Sequence, residues 1–175
     1  MNKQTAILSL GILILFLFPA NGFAAPDSGS CARNPEIRQF DYWLGSWKIG
    51  AAGSSQNAHS TVSLLLDNCL IVENWDGGRG HYGQNSFGYS AEDRNWYGLF
   101  ADNEGRVHVF TSGKVASGSA EFKGTSLGPN GETVLNRVKV VRLNSDKVEQ
   151  VWEKSINNGT SWNVVFRGEY SRANP

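Results

Sequence analysis

The stretch from Val148 to Tyr170 constrains the fold of this chain more than any other. It reads VEQVWEKSINNGTSWNVVFRGEY, in which two runs rich in Val, Trp, Phe and Tyr flank Asn157-Asn158-Gly159, the signature of a β-hairpin. In the second run Trp162, Val164, Phe166 and Tyr170 recur at even spacing, which places them on one pleat face. A lone hairpin cannot remove that much apolar surface from water, so other strands must complete a sheet around it. The expectation is an all-β domain.

The rest of the chain offers those strands. From Ser60 onward short apolar runs alternate with turn signals, and no helical period is long enough to compete. Val62, Leu64 and Leu66 alternate with Thr61 and Ser63, and Asp67-Asn68 reads as a two-residue turn that pairs Leu66 with Cys69, Leu64 with Ile71 and Val62 with Glu73. Further runs, punctuated by Gly77-Gly78-Arg79-Gly80, Asn103-Glu104-Gly105 and Gly128-Pro129-Asn130-Gly131, bring the total to about ten strands. Sequential antiparallel strands of this number close most economically as an up-and-down barrel, which also removes exposed edges; a sandwich is the alternative. The 20 glycines and six tryptophans suit a twisted sheet with tight turns better than a helical bundle. Ahead of the strands, Asn34-Pro35-Glu36 supplies a cap, a first-turn Pro and a first-turn acid, which predicts a short helix from Pro35 to Leu44 with Ile37, Phe40 and Leu44 on one face, placed to plug a barrel end.

The first residues bear on the compartment. Lys3, the apolar run Ala6 to Phe18, Pro19 and the small residues after it read as a secretory signal peptide over residues 1–24, cut after Ala24 or, by the same rule, after Gly22. An uncleaved anchor is the weaker alternative, because the run falls short of the roughly 18 to 20 residues that span a bilayer. The expectation is a secreted or periplasmic protein, with a flexible leader over 25–33, one domain over 34–175 and no membrane insertion after cleavage. Cys31 and Cys69 then favour a disulfide over two free thiols, worth roughly 3 to 4 kcal/mol for a loop of about 38 residues. The 16 basic and 16 acidic residues balance, and cleavage would remove only Lys3. With no basic run, nucleic acid and anionic membranes are poor partners. The sequence carries no signal for oligomeric state.

Several spaced motifs resemble a bacterial domain family of unknown function. Phe40-Asp41-Tyr42-Trp43-Leu44-Gly45-Ser46-Trp47 is similar to its opening Phe-Asp-Phe-Trp-Leu-Gly-x-Trp; Asn68-Cys69-Leu70-Ile71-Val72-Glu73-Asn74-Trp75 resembles its Gly-Cys-x-x-x-Glu-x-Trp. Trp152-Glu153-Lys154-Ser155 with Asn158-Gly159-Thr160-Ser161-Trp162 resembles its closing hairpin, and Asn136-Arg137 falls where the family often has an Arg before a strand. The chain departs from the pattern at Asn68, where Gly is usual, and at Ser90 and Asn157, where Asp is frequent. The resemblance implies a lipocalin-like, or calycin-like, barrel whose lumen commonly holds a small apolar molecule. Function is not inherited from fold, and the resemblance brings no catalytic residues.

Glu73 is the leading candidate for chemistry. The Asp67-Asn68 register puts it on the apolar face between Ile71 and Trp75, where a carboxylate must find a ligand, a proton or a cation such as Arg137. Trp75, Tyr89, Phe100, Trp152 and Trp162 are aromatics that either line a pocket or fill core. Whether Trp152 or Glu153 faces inward depends on the hairpin loop. A three-residue loop with left-handed Gly159 puts Trp152 inward beside Trp162 and Val164, the favoured register, and loops of two or four put Glu153 there. The lumen candidates are therefore Glu73, Trp75, Tyr89, Phe100, Arg137, Trp152 and Glu153. His59, His81 and His108 are scattered without ligand spacing, so neither a metal nor a cofactor is expected and exposed histidines are the default. Three functions follow: an exported barrel binding a small, partly apolar molecule in its lumen; an isomerase, cyclase or hydrolase of the same fold using Glu73 as general acid/base; or a structural module with a filled core.

Overall fold

The computed structural model describes residues 30–51 and 58–173. The signal peptide expected over 1–24, the leader up to Gly29 and most of the Gly-Ser-Ala loop before Ala58 lie outside the described residues. Two short helices, α1 (Ser30–Arg33) and α2 (Pro35–Arg38), and a 3₁₀ turn (Asp41–Trp43) precede the strands. These are β1 (Gly45–Ala51), β2 (His59–Leu65), β3 (Leu70–Gly78), β4 (His81–Ser90), β5 (Asn95–Asp102), β6 (Val107–Phe110), β7 (Ser112–Ala116), β8 (Ser119–Leu127), β9 (Thr133–Arg142), β10 (Lys147–Ser155) and β11 (Asn163–Arg172). They form one antiparallel sheet in the order β6-β5-β4-β3-β2-β1-β11-β10-β9-β8-β7, a nearly closed up-and-down barrel.

The count of eleven rather than about ten arises at the seam. The run from Val107 to Ala116 pairs with β5 through its first half and with β8 through its second, breaking at Thr111. At the break the Asn95 side chain replaces ladder bonds: its Nδ2 donates to Thr111 O (2.9 Å) and its Oδ1 accepts from Gly113 N–H (3.3 Å). Thr111 N–H donates across the seam to Lys123 O (2.9 Å). Gly124 makes the approach possible, since a Cβ there would lie 2.0 Å from Val109 O.

The β2–β3 hairpin has the expected register, with Val62 opposite Glu73 and Leu64 opposite Ile71. Asp67 and Asn68 both take positive φ, as a primed two-residue turn requires. The closing hairpin differs from expectation in its loop, which runs from Ile156 to Trp162 rather than over three residues, although Gly159 is left-handed (φ 84°). Trp152 pairs with Phe166, Glu153 pairs with Val164, and Val165 is the extra residue of a β-bulge. One extra residue reverses the facing of everything beyond it. Phe166 and Tyr170 therefore point into the barrel while Val164 stays on the outer face, half exposed at 51%.

The helical segment plugs one end. Asn34 Oδ1 caps α2 by accepting from Glu36 N–H (2.9 Å), but the helix stops at Arg38 instead of continuing to Leu44. In the 3₁₀ turn, residues three apart eclipse, so Phe40 and Trp43 stack (ring centroids 5.2 Å apart), and the Trp47 indole N–H donates to Trp43 O (2.9 Å). Trp43 thus takes the core position expected of Leu44. Phe40 is fully buried and meets Phe87, Trp96 and Phe122 at 5.7 to 5.9 Å, and Phe87 lies 4.2 Å from Phe122. The Cys31–Cys69 disulfide ties α1, where a flexible leader was expected, to the β2–β3 turn.

Candidate functional site

Among the described residues, the other end of the barrel is open. There the inward positions of β3, β5, β10 and β11 present Trp75, Phe100, Trp152 and Phe166 around a cavity of about 200 Å³. Their rings meet edge to face: Trp152 lies 5.2 Å from Phe100 and Trp75 lies 6.1 Å from Phe166. His108, two residues from Phe110 on β6 and so on the same face, completes the wall against Trp152 at 4.7 Å. These walls can hold a flat apolar group by stacking and burial.

The inner end of the cavity is polar and neutral. Asn85 and Gln150 border it, and both belong to a buried network around Glu73. Ser60 Oγ donates to Glu73 Oε1 (2.8 Å) and Asn85 Nδ2 to Oε2 (2.7 Å). Tyr170 hydrogen-bonds Glu73 and also donates to Gln150 Oε1 (2.5 Å). Burial raises the Glu73 pKa, opposed by the hydrogen bonds from Ser60, Asn85 and Tyr170. Burial and the Glu73 carboxyl together push the Tyr170 pKa well above its ordinary value.

The rim is basic. His81, Arg106 and Lys154 border the cavity, while Asp102 and Glu104 are held by the Arg106 guanidinium at 2.6 and 2.9 Å. Burial raises the Asp102 pKa, but hydrogen bonds from Arg106, His81 and Glu104 outweigh it and hold the carboxyl at about 2. His81, Asp102 and Glu104 cluster closely enough to suit a metal ion, yet Arg106 Nη2 lies 2.6 Å from His81 Nε2, so a cation of the chain already occupies that position. Lys154 makes no ion pair among the described residues; burial and then Arg106 lower its pKa. Burial, then Lys154 and Arg106, lower that of His108 against the pull of Asp102. Five buried side-chain atoms lack a hydrogen-bond partner among the described residues. Arg38 Nε, Asp41 Oδ1 and Trp43 Nε1 belong to the plug, whereas Trp75 Nε1 and His108 Nδ1 belong to cavity-wall residues.

Of the lumen candidates, Trp75, Phe100 and Trp152 border the cavity. Glu73 is fully buried beside it, without bordering it itself. Tyr89 stands at the plugged end against Trp96 (5.7 Å). Arg137 and Glu153 correct the expectation: they occupy the outer face, opposite in the strand alternation to Val138 and Trp152. There Arg137 Nε pairs with Glu153 Oε2 at 2.8 Å, Lys139 Nζ approaches the same oxygen at 3.2 Å, and the guanidinium stacks 4.0 Å above the Trp162 ring. The Arg137 hydrogen bond is the leading reason the Glu153 pKa is lowered. No ion pair joins Arg137 to Glu73. Sequence reasoning missed His81, His108, Arg106 and Lys154. Alternation outward from Phe110 reaches His108 and Arg106, and alternation from Trp152 reaches Lys154, so the signal was present once an inward residue was fixed on each strand. No protein-family model and no curated protein matches the chain.

Proposed function

We propose that this protein is an exported binder of a small, partly apolar molecule, held in the open-end cavity between Trp75, Phe100, His108, Trp152 and Phe166. The observation that carries the reading is the cavity itself: about 200 Å³ enclosed by aromatic walls, with polar amides at its inner end. An engineered apolar cavity of about 150 Å³ accepts benzene, so this space suits a ligand of one or two rings. The Cys31–Cys69 disulfide and the signal-peptide pattern support export, since disulfides persist in oxidising compartments. The motif resemblance to a lipocalin-like family agrees with binding in a lumen. A catalytic Glu73 gains no support, because Asn85 and Gln150 border the cavity and the carboxyl does not.

The reading is tested by native mass spectrometry of protein isolated from its own source, together with a ligand-observed NMR screen of one- and two-ring aromatic compounds. The expected result is an adduct lost on denaturation, or screen hits abolished by Trp152→Ala. A bare chain that also ignores the whole panel would overturn it.

A further inference from the structure

We propose that the cavity selects an aromatic carboxylate, with the rings between Trp152, Phe100 and Phe166 and the anionic group at the Lys154 and Arg106 side of the mouth. The inference rests on the binding reading above and specifies its ligand class. Its basis is an imbalance of charge. Among the described residues, basic side chains border the cavity and no acidic one does. The nearest acids are already committed: Asp102 has a fully buried carboxyl engaged by Arg106 and His81, and Glu104 also pairs with Arg106. Lys154 is left without a counter-charge among the described residues, in an aromatic setting where Arg106 is close enough to repel it. Half-buried against the Trp152 ring at 5.6 Å, the ammonium is partly withdrawn from water without a carboxylate to balance it, and an anion placed beside it would supply that balance.

The hydrogen-bond inventory points the same way. Trp75 Nε1 can only donate, and it is buried without an acceptor on a residue that borders the cavity. His108 Nδ1, also unpartnered, can donate in one tautomer. A carboxylate offers acceptors alone and satisfies such groups, whereas an ammonium-bearing ligand would add donors and positive charge to a site already rich in both. A neutral aromatic would fill the walls and leave Lys154 unpaired.

A matched pair of probes decides the matter. Isothermal titration with 2-naphthoate and with 2-naphthamide, which share rings and size but differ in charge, should show the wild-type protein preferring the carboxylate by about tenfold or more at low salt. Lys154→Met should erase most of that preference by weakening naphthoate far more than naphthamide, and Lys154→Arg should retain it. Equal affinity of the wild-type protein for the two probes would overturn the charge selection and leave binding intact. Binding of neither would overturn both. Because the wild-type comparison is decisive by itself, the test does not depend on the variants folding; an unaltered preference in a folded Lys154→Met protein would also overturn the assignment of Lys154.

Discussion

At the plugged end of the barrel Phe40, Trp43, Phe87, Trp96 and Phe122 pack ring against ring beneath the helical segment, whereas at the open end Trp75, Phe100, Trp152 and Phe166 surround a cavity of about 200 Å³. Both ends have aromatic walls, so the difference lies in what crosses them. The plug delivers Phe40 and Trp43 onto its rings and is tied down by the disulfide. Among the described residues, the turns Arg79-Gly80, Asn103-Glu104-Gly105 and Asn157-Asn158-Gly159 at the open end consist of Gly and polar residues and bring no apolar side chain inward. Ile156, at the foot of the last of these, is 68% exposed. An aromatic wall becomes core when the chain supplies a cover and a binding surface when it does not.

The contrast can be broken most severely at the plug. Phe40→Ala removes a fully buried ring with five aromatic neighbours in the barrel and plug, and is expected to cost about 3 to 5 kcal/mol in urea unfolding. Trp152→Ala, at a wall that already borders empty space, should cost less than half as much; equal losses would mean that the open end is core after all. Comparable in size, replacing Cys31 and Cys69 with Ser should lower stability by about 4 kcal/mol in the chain-entropy picture. Aromatic probe affinity at the far end should stay the same, and a parallel loss of binding would show that the two ends are coupled.

Glu73, between the two ends, gives a prediction of sign. Its folded pKa is raised above the ordinary 4.5, so the folded protein holds a proton that the unfolded chain releases first. The corresponding stabilisation is complete below about pH 4.5 and is lost as the pH rises through the folded pKa. Glu73→Gln, which mimics the neutral acid, should flatten this decline, so that thermal unfolding of the variant gains on wild type by about 1 to 2 kcal/mol with rising pH. Had a buried Arg paired with Glu73, the same change would cost several kcal/mol at neutral pH, and that outcome would contradict the network of Ser60, Asn85 and Tyr170. The smallest effect belongs to the outer face. Arg137→Met should change stability by about 1 kcal/mol and leave probe binding untouched, because its partners Glu153 and Trp162 face away from the cavity.

Much of the fold was legible because its rules are local. The Asp67-Asn68 turn fixed which residue stands opposite which, and that sufficed to put Glu73 on the buried face. The closing hairpin was legible in kind and not in detail. Its parity depends on a bulge at Val165 that no turn residue announces, and the bulge sends Trp162 and Val164 outward while Phe166 points in. The short helix failed at its C-terminal half for a related reason: the spacing of Ile37, Phe40 and Leu44 suits a helix, but the stacking of Phe40 on Trp43 and the Trp47 bond to Trp43 O favour a 3₁₀ turn. At the site, the aromatics were found by type, whereas His108, Arg106 and Lys154 look like ordinary surface residues when read singly.

By itself, then, the sequence determined the strands, their antiparallel succession and the burial of Glu73, because alternation and turn chemistry act between neighbours, and it favoured the disulfide that the structure contains. Only the tertiary structure decided that Arg137 pairs outside with Glu153, that Glu73 is met by hydroxyl and amide groups instead of a cation, and that Lys154 stands unpaired beside aromatic rings. Those outcomes depend on which strands become neighbours on closure and on single-residue shifts of parity, and a shift of one residue exchanges the inner face of a strand for the outer one.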